Sequence, residues 1–192
     1  MPIISSEEGE REGIMQVSRL MLVSARTAPK SGGVDDILTA LIFGAEKKSL
    51  VAEMEKIAEE RKISRFKRDA RNVRDSEAVV LIGVRGTRKF GINCGACGYA
   101  NCDEFEKAEK KAGQDFTGPT CIAKALDLGI ALGSAVKTAD ILNVDNRIMY
   151  RIGSAARRLD MMPEASVIMG IPVSAKGKNI YFDRPREAEA RR

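Results

Sequence analysis

The chain has 192 residues, of which 44% are hydrophobic and 31% charged, so it is long enough to bury a core of its own. Histidine and tryptophan are both absent, which excludes histidine-dependent hydrolases and every histidine-ligated metal site. Lys and Arg outnumber Asp and Glu by 32 to 27, and the net charge of +5 is too small to identify a class of partner.

The N-terminal segment MPIISSEEGERE is polar and acidic, and it lacks the basic region and apolar run of a signal peptide. The longest apolar runs, such as AVVLIGV at residues 78–84, are too short to span a bilayer. We therefore expect a cytoplasmic protein that does not associate with membranes. In that reducing compartment, clustered cysteines bind a metal more often than they form disulfides.

Helical and extended patterns alternate along the chain. The predicted helices are residues 12–27, 46–62, 102–112, 120–142 and 146–159, the last with Asp145 or Asn146 as its N-cap. The predicted strands are residues 35–44, 78–84 and 165–173, with a short extended segment at 176–185. Residues 35–44 also fit a helix, and their β-branched and aromatic content favours the strand. The alternation predicts an α/β or α+β fold with three layers.

A basic stretch, RKISRFKRDARNVR at residues 61–74, contains seven Lys and Arg residues and one acidic residue, Asp69. Phe66 is its only aromatic residue, so it lacks the stacking platform that single-stranded nucleic acids need. We interpret the stretch as a solvated helix face or a docking patch for an acidic redox partner protein, and we do not expect it to bind nucleic acid.

All four cysteines fall into one pattern, C-x2-C-x4-C-x18-C. Four thiolates are the number that holds a 4Fe–4S cluster or a structural zinc ion. Structural zinc sites usually have two C-x2-C pairs, and here only one pair has that spacing, so the pattern favours the cluster. Zinc and free or redox-active thiols remain the alternatives. The candidate metal ligands are Cys94, Cys97, Cys102 and Cys121.

The residues between the cysteines suit an anionic metal site. Gly95 and Gly98 can adopt positive φ and let backbone N–H groups approach the sulfurs. Asn101 is the expected N-cap of a helix that places Cys102 in its first turn, where the helix dipole favours negative charge. Phe105, one turn further on, is positioned to shield the site from water.

The sequence CGACGYANCDEF resembles the cysteine loop of a small 4Fe–4S module of the form CGxCGxxxCxxF with a distant fourth cysteine. That module occurs in the large subunit of the corrinoid iron–sulfur protein and in a subunit of an electron-transport complex. The resemblance covers residues 90–124, which we call the cysteine module, and implies that all four cysteines are ligands. One departure is that Pro119 precedes Cys121, whereas in such modules a proline often follows the last cysteine.

Three other segments resemble flavin-dependent nitroreductases. They are SARTAPKSGGVDDI at residues 24–37, the glycine-containing helix at 127–145 and the late strand with basic residues at 165–179. Over its whole length the chain is similar to a family of small proteins described only as containing a ferredoxin domain. The resemblance implies a single nitroreductase-like three-layer sandwich over residues 1–192, with the cysteine module inserted, and a homodimer.

The resemblance also implies a site for FMN, although the Arg-Arg-Ser-x-Arg strand that grips the flavin phosphate in nitroreductases is absent. Only Arg11 lies in the corresponding region. An ordinary solvated loop would also explain the segment around Lys30. Close packing between helices would also explain Gly129 and Gly133. The candidate FMN contacts are Arg26, Lys30, Ser31, Gly32, Gly129, Gly133 and Lys176.

These patterns predict an iron–sulfur redox protein that passes electrons to a flavin or to a partner protein. With FMN bound, the protein would be an FMN-dependent oxidoreductase. We identify no acid–base pair for catalysis, so the catalytic residues are unassigned and the reaction chemistry would belong to the cofactors. The alternative is a non-enzymatic protein that has lost its flavin, in which a cluster or zinc ion is structural or a cluster senses oxygen or iron.

Overall fold

The structure is a computed structural model, and it describes residues 3–182. The helices are α1 (Ser6–Thr27), α2 (Gly44–Arg61), α3 (Ser64–Asp75), α4 (Cys102–Lys107), α5 (Ile122–Ile141) and α6 (Tyr150–Arg158). The strands are β1 (Ile37–Ile42), β2 (Ala78–Val84), β3 (Lys111–Ala112), β4 (Thr117–Gly118), β5 (Asp145–Asn146) and β6 (Val167–Ser174). Among the described helices, none has both the length and the apolar character that a membrane crossing needs.

The core is built on both faces of a four-stranded antiparallel sheet with the order β1-β2-β6-β5. All seven residues of β2 are buried, and its side chains alternate between the two faces. Val80 and Ile82 pack with α1 and α5, whereas Val79 and Leu81 pack with α2, α3 and α6. The arrangement is helix, sheet, helix, which confirms the predicted three-layer fold class.

The predicted helix over residues 102–112 is wrong beyond its first half. Helix α4 ends at Lys107, and Lys111–Ala112 pairs with Thr117–Gly118 in a short hairpin. Phe105 is the one buried residue of α4, so a longer helix would have no second apolar face to bury. A short helix without such packing is marginal in water, and the chain turns instead.

The predicted N-cap of the last helix is also wrong. Asp145 and Asn146 form β5 and pair with the end of β6, so both residues are used by the sheet. The Asn146 side chain donates a hydrogen bond to Asp140 Oδ1 at 2.8 Å. Helix α6 begins only at Tyr150, and Met149 occupies the N-cap position without a side-chain hydrogen bond.

The extended segment predicted at residues 176–185 is wrong in its described part. Residues 176–182 form turns and irregular structure, and residues 183–185 lie outside the described residues. Tyr181 is buried there, with its hydroxyl 2.8 Å from Ser76 Oγ. This contact holds the segment against the end of α3, so residues 176–182 do not add a strand to the sheet.

The basic stretch of residues 61–74 divides between the end of α2 and α3. Lys62 separates the two helices with a left-handed φ of 54°. Phe66 and Asp69 point inward from α3, and the Asp69 carboxylate pairs with Arg68 and Arg151 at 2.7 and 2.8 Å. The outer face of α3 is exposed and basic, as the interpretation of a solvated helix face expects. Its exposed members are Arg65, Lys67, Arg71 and Arg74.

Candidate metal centre

The cysteine module leaves the sheet and returns to it at one place. After β2, a turn is closed by the hydrogen bond from Arg88 N to Arg85 O at 3.2 Å. The backbone N–H of Cys121 then donates to Gly86 O at 2.8 Å, and α5 starts at the next residue. The fourth cysteine is therefore held at the base of the segment that carries the other three.

The cysteine loop, residues 93–102, has the backbone that its glycines predict. Gly95 and Gly98 have φ values of 70° and 88°, in the left-handed region that favours glycine. The N–H of Gly98 donates to Gly95 O at 2.9 Å, so Cys97 lies within a tight turn that directly follows Cys94. Both predicted glycine turns are confirmed.

The start of α4 is also as predicted. Asn101 Oδ1 accepts a hydrogen bond from Glu104 N at 2.9 Å, which makes Asn101 the N-cap and Cys102 the first helical residue. The Cys102 sulfur accepts a hydrogen bond from Asn93 N at 3.3 Å, and Cys102 N donates to Asn93 Oδ1 at 2.8 Å. The loop therefore directs one backbone N–H group at the sulfur of this candidate ligand.

A small apolar core lies beneath the loop. Phe105 and Cys121 are buried in it, and Cys97 and Tyr99 pack against them. The Tyr99 and Phe105 rings meet edge to face, with their centroids 5.8 Å apart. Cys97 from the loop and Cys121 from the start of α5 thus share one apolar environment, while Cys94 is exposed.

The four cysteines fit an iron–sulfur cluster in number and chemistry. They supply four thiols, glycine turns without side-chain bulk, and an N–H donor directed at one sulfur. In the arrangement of residues 3–182, however, no three Cys, Asp or Glu side chains are close enough together to hold a metal ion. The structure brings Cys97 and Cys121 into one core without closing all four thiols around a common centre.

A hairpin at the far end of the module is fastened to the helices by Asp115. Its Oδ1 accepts hydrogen bonds from Arg61 Nη1 at 2.6 Å and from Ser154 Oγ at 2.5 Å, and its Oδ2 accepts one from the Tyr150 hydroxyl at 2.7 Å. Burial opposes ionisation of this carboxyl, but the hydrogen bonds from Ser154, Arg61 and Tyr150 outweigh it and lower the pKa of Asp115. Burial and the bond to Asp115 raise the pKa of Tyr150 to about 12.

Arg26, in the last turn of α1, and Lys30, on the loop after it, are both engaged by groups of the protein. Arg26 Nε lies 2.9 Å from Asp35 Oδ2, and its Nη1 donates to Ile37 O at 3.0 Å. Lys30 donates to the carbonyl oxygens of Ala25 and Arg26 at the end of α1. Each cation therefore already stabilises backbone or carboxylate groups of the protein.

Ser31 is bonded to α5, and Gly32 lies against the cysteine module. The Ser31 N–H and hydroxyl both donate to Asp127 Oδ1, at 2.8 and 2.9 Å. A Cβ at Gly32 would lie 2.9 Å from the Phe90 ring, so only glycine allows this approach, and its φ is 57°. The structure thus places Arg26 at the end of α1 and Lys30, Ser31 and Gly32 on the loop that follows, near the module.

The other three candidate FMN residues lie elsewhere. Lys176 follows β6 and is 3.9 Å from Glu77, just before β2, at the opposite end of the sheet from Cys121. Gly129 and Gly133 are exposed on α5, and a Cβ at either would meet no atom within 4 Å. Within one chain, the structure does not bring these three residues to the loop after α1.

Two buried charged residues of α5 were not singled out from the sequence. Lys124 Nζ is 2.8 Å from Asp36 Oδ2 with no exposed side-chain surface, and Asp127 is buried with its Oδ2 free of any hydrogen bond within the described residues. Their sequence signal is a pair of charges three residues apart on the face of α5 that is otherwise apolar. That spacing places both on the side that packs inward.

Comparisons with known proteins match two parts of the chain to families and nearly all of it to one relative. Residues 117–184 match the family described as "Uncharacterized protein containing a ferredoxin domain" (DUF2148), and residues 91–111 match the family described as "Putative Fe-S cluster". An uncharacterized protein of Archaeoglobus fulgidus is 48% identical over 182 residues, which cover 95% of this chain and 97% of that protein.

Solved structures of nitroreductases share the fold at low sequence identity. The FMN-dependent nitroreductase NfnB from Mycobacterium smegmatis, solved with NADPH, has a TM-score of 0.54 at 12% identity, over 93% of this chain and 87% of that chain. Nitroreductase A from Vibrio parahaemolyticus has a TM-score of 0.51 at 10% identity, over 85% of this chain. This chain spans 60% of the length of the Vibrio nitroreductase. The likeness establishes a nitroreductase-like fold.

Proposed function

This chain belongs to the family of uncharacterized proteins that contain a ferredoxin domain, and we propose that it transfers electrons through a 4Fe–4S cluster bound by its cysteine module. The match of residues 91–111 to an iron–sulfur family supports an iron–sulfur cofactor. The proposed ligands are Cys94, Cys97, Cys102 and Cys121.

One observation carries the proposal. Cys121 is far from the other cysteines in sequence, yet its N–H bond to Gly86 O holds it at the base of the cysteine loop. It also packs with Cys97 in the core around Phe105. A four-thiolate site requires the distant cysteine to lie near the loop that carries the other three. A structural zinc site would more often contain a second C-x2-C pair.

The chain's own residues account for how such a site would be held. Asn93 directs its backbone N–H group at the Cys102 sulfur, and its side-chain oxygen accepts the N–H of Cys102. Phe105 keeps water from the inner side of the loop. A bound cluster supplies one-electron transfer, and its potential depends on these hydrogen bonds and on solvent access.

A flavin-linked oxidoreductase is the second candidate. It is favoured by the fold, which is shared with an FMN-dependent nitroreductase, and by the loop after α1 that lies beside the cysteine module. Against it, Arg26 and Lys30 are engaged by protein groups, and Lys176 is at the other end of the sheet. The alternative is a non-enzymatic protein that has lost its flavin, in which the cluster is structural or senses oxygen or iron.

We also propose that the protein is a homodimer. The outer face of α5 and the adjoining part of α1 expose large apolar side chains, with Gly129 and Gly133 between them. Ser24 Oγ and Thr138 Oγ1 are 2.6 Å apart, so the two helices present one continuous surface. A second copy of the chain would cover this apolar face. Its exposed apolar members are Leu20, Val23, Leu126, Ile130 and Ile141.

An electron carrier also needs a redox partner protein. The exposed basic face of α3 suits an acidic one, because attraction between opposite charges speeds encounter.

The visible spectrum of protein purified without oxygen separates these functions. A broad cluster absorption that dithionite bleaches, with no extractable flavin, supports simple electron transfer or sensing. Flavin bands beside the cluster absorption support the flavin-linked oxidoreductase. Colourless protein that contains zinc would overturn the cluster proposal.

A further inference from the structure

The two ends of the cysteine module are joined through one buried carboxylate, that of Asp36. Its Oδ2 lies 2.8 Å from Lys124 Nζ, and its Oδ1 accepts a hydrogen bond from Arg88 Nη1 at 3.1 Å. Arg88 stands two residues before the module, and Lys124 is the last residue of the module, one turn beyond Cys121. A single side chain on the loop before β1 therefore contacts both ends.

The backbone of Asp36 belongs to the same arrangement. Its carbonyl oxygen accepts a hydrogen bond from Arg85 N at 3.0 Å, in the turn that precedes the module. The next residue of that turn, Gly86, accepts the N–H of Cys121. Asp36 thus supports the segment to which Cys121 is bonded, through its main chain and through its side chain.

Burial of Lys124 is costly and is not explained by packing alone. Lysine is almost never fully buried without a partner, and Asp36 is the charged partner of this one among the described residues. The Lys124 ammonium lies close to the Asp36 carboxylate, but the contact lacks the geometry of a hydrogen bond. The N–H donors of Lys124 are therefore not used within the described residues. Buried ion pairs often add little net stability compared with apolar residues, which points to a role in placing the groups around them.

We propose that Asp36 and Lys124 are positioning residues that hold Cys121 in place for cluster binding. Cys121 is the N-cap of α5 and Lys124 is the third residue of that helix, so the two residues flank the same first turn. Fixing Lys124 against Asp36 fixes the rotation of this first turn, and with it the direction of the Cys121 sulfur. The inference rests on the proposed function, because it assigns the pair to that site.

The first test measures Cys121 in cluster-free protein, so it does not depend on iron. The double variant Asp36→Asn/Lys124→Met removes both charges, keeps similar side-chain volume and strands no buried ion. Iodoacetamide labelling of each cysteine is followed by mass spectrometry under native conditions. We expect Cys121 to be labelled about tenfold faster, the effect of about 1.4 kcal/mol of lost local stability, with Cys94 unchanged.

A matched control separates positioning from general stability. Asp69 is another buried carboxylate with two arginine partners, on α3 and without a contact to the cysteines. Asp69→Asn should lower the free energy of unfolding but leave the labelling rate of Cys121 unchanged. Equal acceleration of Cys121 labelling in Asp69→Asn and in the double variant would overturn the proposal.

A milder variant keeps the test decisive if the double variant does not fold. The Arg88 side chain is 60% exposed, so Arg88→Ala removes the contact at the start of the module and leaves the Asp36–Lys124 pair. We expect a smaller but measurable increase in Cys121 labelling. An unchanged rate in Arg88→Ala, with the double variant unfolded, would contradict the role of Asp36 in joining the two ends.

The cluster-loaded protein supplies the second readout. Loss of iron to a chelator should be about tenfold faster in the double variant, since groups that orient metal ligands typically contribute this much. If wild-type protein binds no iron, the proposed function fails while the labelling result still stands. If wild-type protein binds iron and the double variant keeps both its labelling rate and its iron, the positioning proposal fails alone.

Discussion

Asp115 Oδ2 accepts a hydrogen bond of 2.7 Å from the Tyr150 hydroxyl, and this contact fastens the hairpin of the cysteine module to α6. The other oxygen of the same carboxylate receives Arg61 from α2 and Ser154 from α6. The module is therefore held at two separate places, at its base by Cys121 and Asp36 and at its hairpin by Asp115.

Replacement of Asp115 by Asn should destabilise the protein strongly. The Arg61 side chain is only 9% exposed, so the variant leaves a largely buried guanidinium without its carboxylate. We expect the free energy of unfolding in urea to fall by about 2–4 kcal/mol. Glu59→Gln is the control, because the Glu59–Lys67 pair is exposed and should contribute about 0–1 kcal/mol. Equal losses in the two variants would contradict the anchoring role.

The same contact predicts how stability depends on pH at the acid end. The pKa of Asp115 is lower in the folded protein than its ordinary value of 3.8. The folded state therefore binds this proton less readily, so the stabilisation is present above pH 3.8 and is lost as pH falls towards the folded pKa. Between pH 5 and pH 3 the free energy of unfolding in urea should fall less in Asp115→Asn than in wild type, because the variant lacks the contribution of this one carboxyl.

At the alkaline end the relevant group is Tyr150. Burial and the bond to Asp115 raise the pKa of Tyr150 from 10.0 to about 12, so the neutral hydroxyl is favoured in the folded state. This contribution is present below pH 10.0 and is lost as pH rises towards about 12. Tyr150→Phe should therefore show a flatter alkaline decline in urea unfolding. A decline identical to that of wild type would contradict this assignment.

The exposed face of α1 and α5 predicts how the protein assembles. Ile130→Glu places a charge at the centre of this face, next to Gly129 and Gly133. Because burial of an unpaired carboxylate is costly, we expect the dimer to dissociate into folded monomers. Sedimentation velocity measures the change, and Lys56→Glu on the exposed side of α2 is the control. A dimer that persists unchanged in Ile130→Glu would contradict this interface.

Features that depend on a few neighbouring residues could be predicted from the sequence. The positive φ of Gly95 and Gly98 and the cap at Asn101 follow from local backbone chemistry, and all three are confirmed. The buried strand β2 has its predicted bounds, because seven consecutive apolar residues fit only a strand that is covered on both faces. The same reasoning leaves β5 undetected, since two polar residues carry no such pattern.

Contacts between distant segments could not be predicted in this way. Asp36, Arg88 and Lys124 meet only because the start of β1, the end of β2 and the start of α5 lie at the same end of the sheet. The sequence resemblance to nitroreductases places Lys176 with Arg26 and Lys30, but within one chain these lie at opposite ends of the sheet. The ligand set of the four cysteines and the FMN contacts stay predictions.

The central claim is that four cysteines hold one 4Fe–4S cluster, and iron content tests it most directly. Wild-type protein purified without oxygen should contain about four irons and four acid-labile sulfides per chain. Cys97→Ser should contain almost none, while its circular dichroism spectrum keeps the helices and strands of the sandwich. Iron-free wild-type protein, or undiminished iron in Cys97→Ser, would contradict the account.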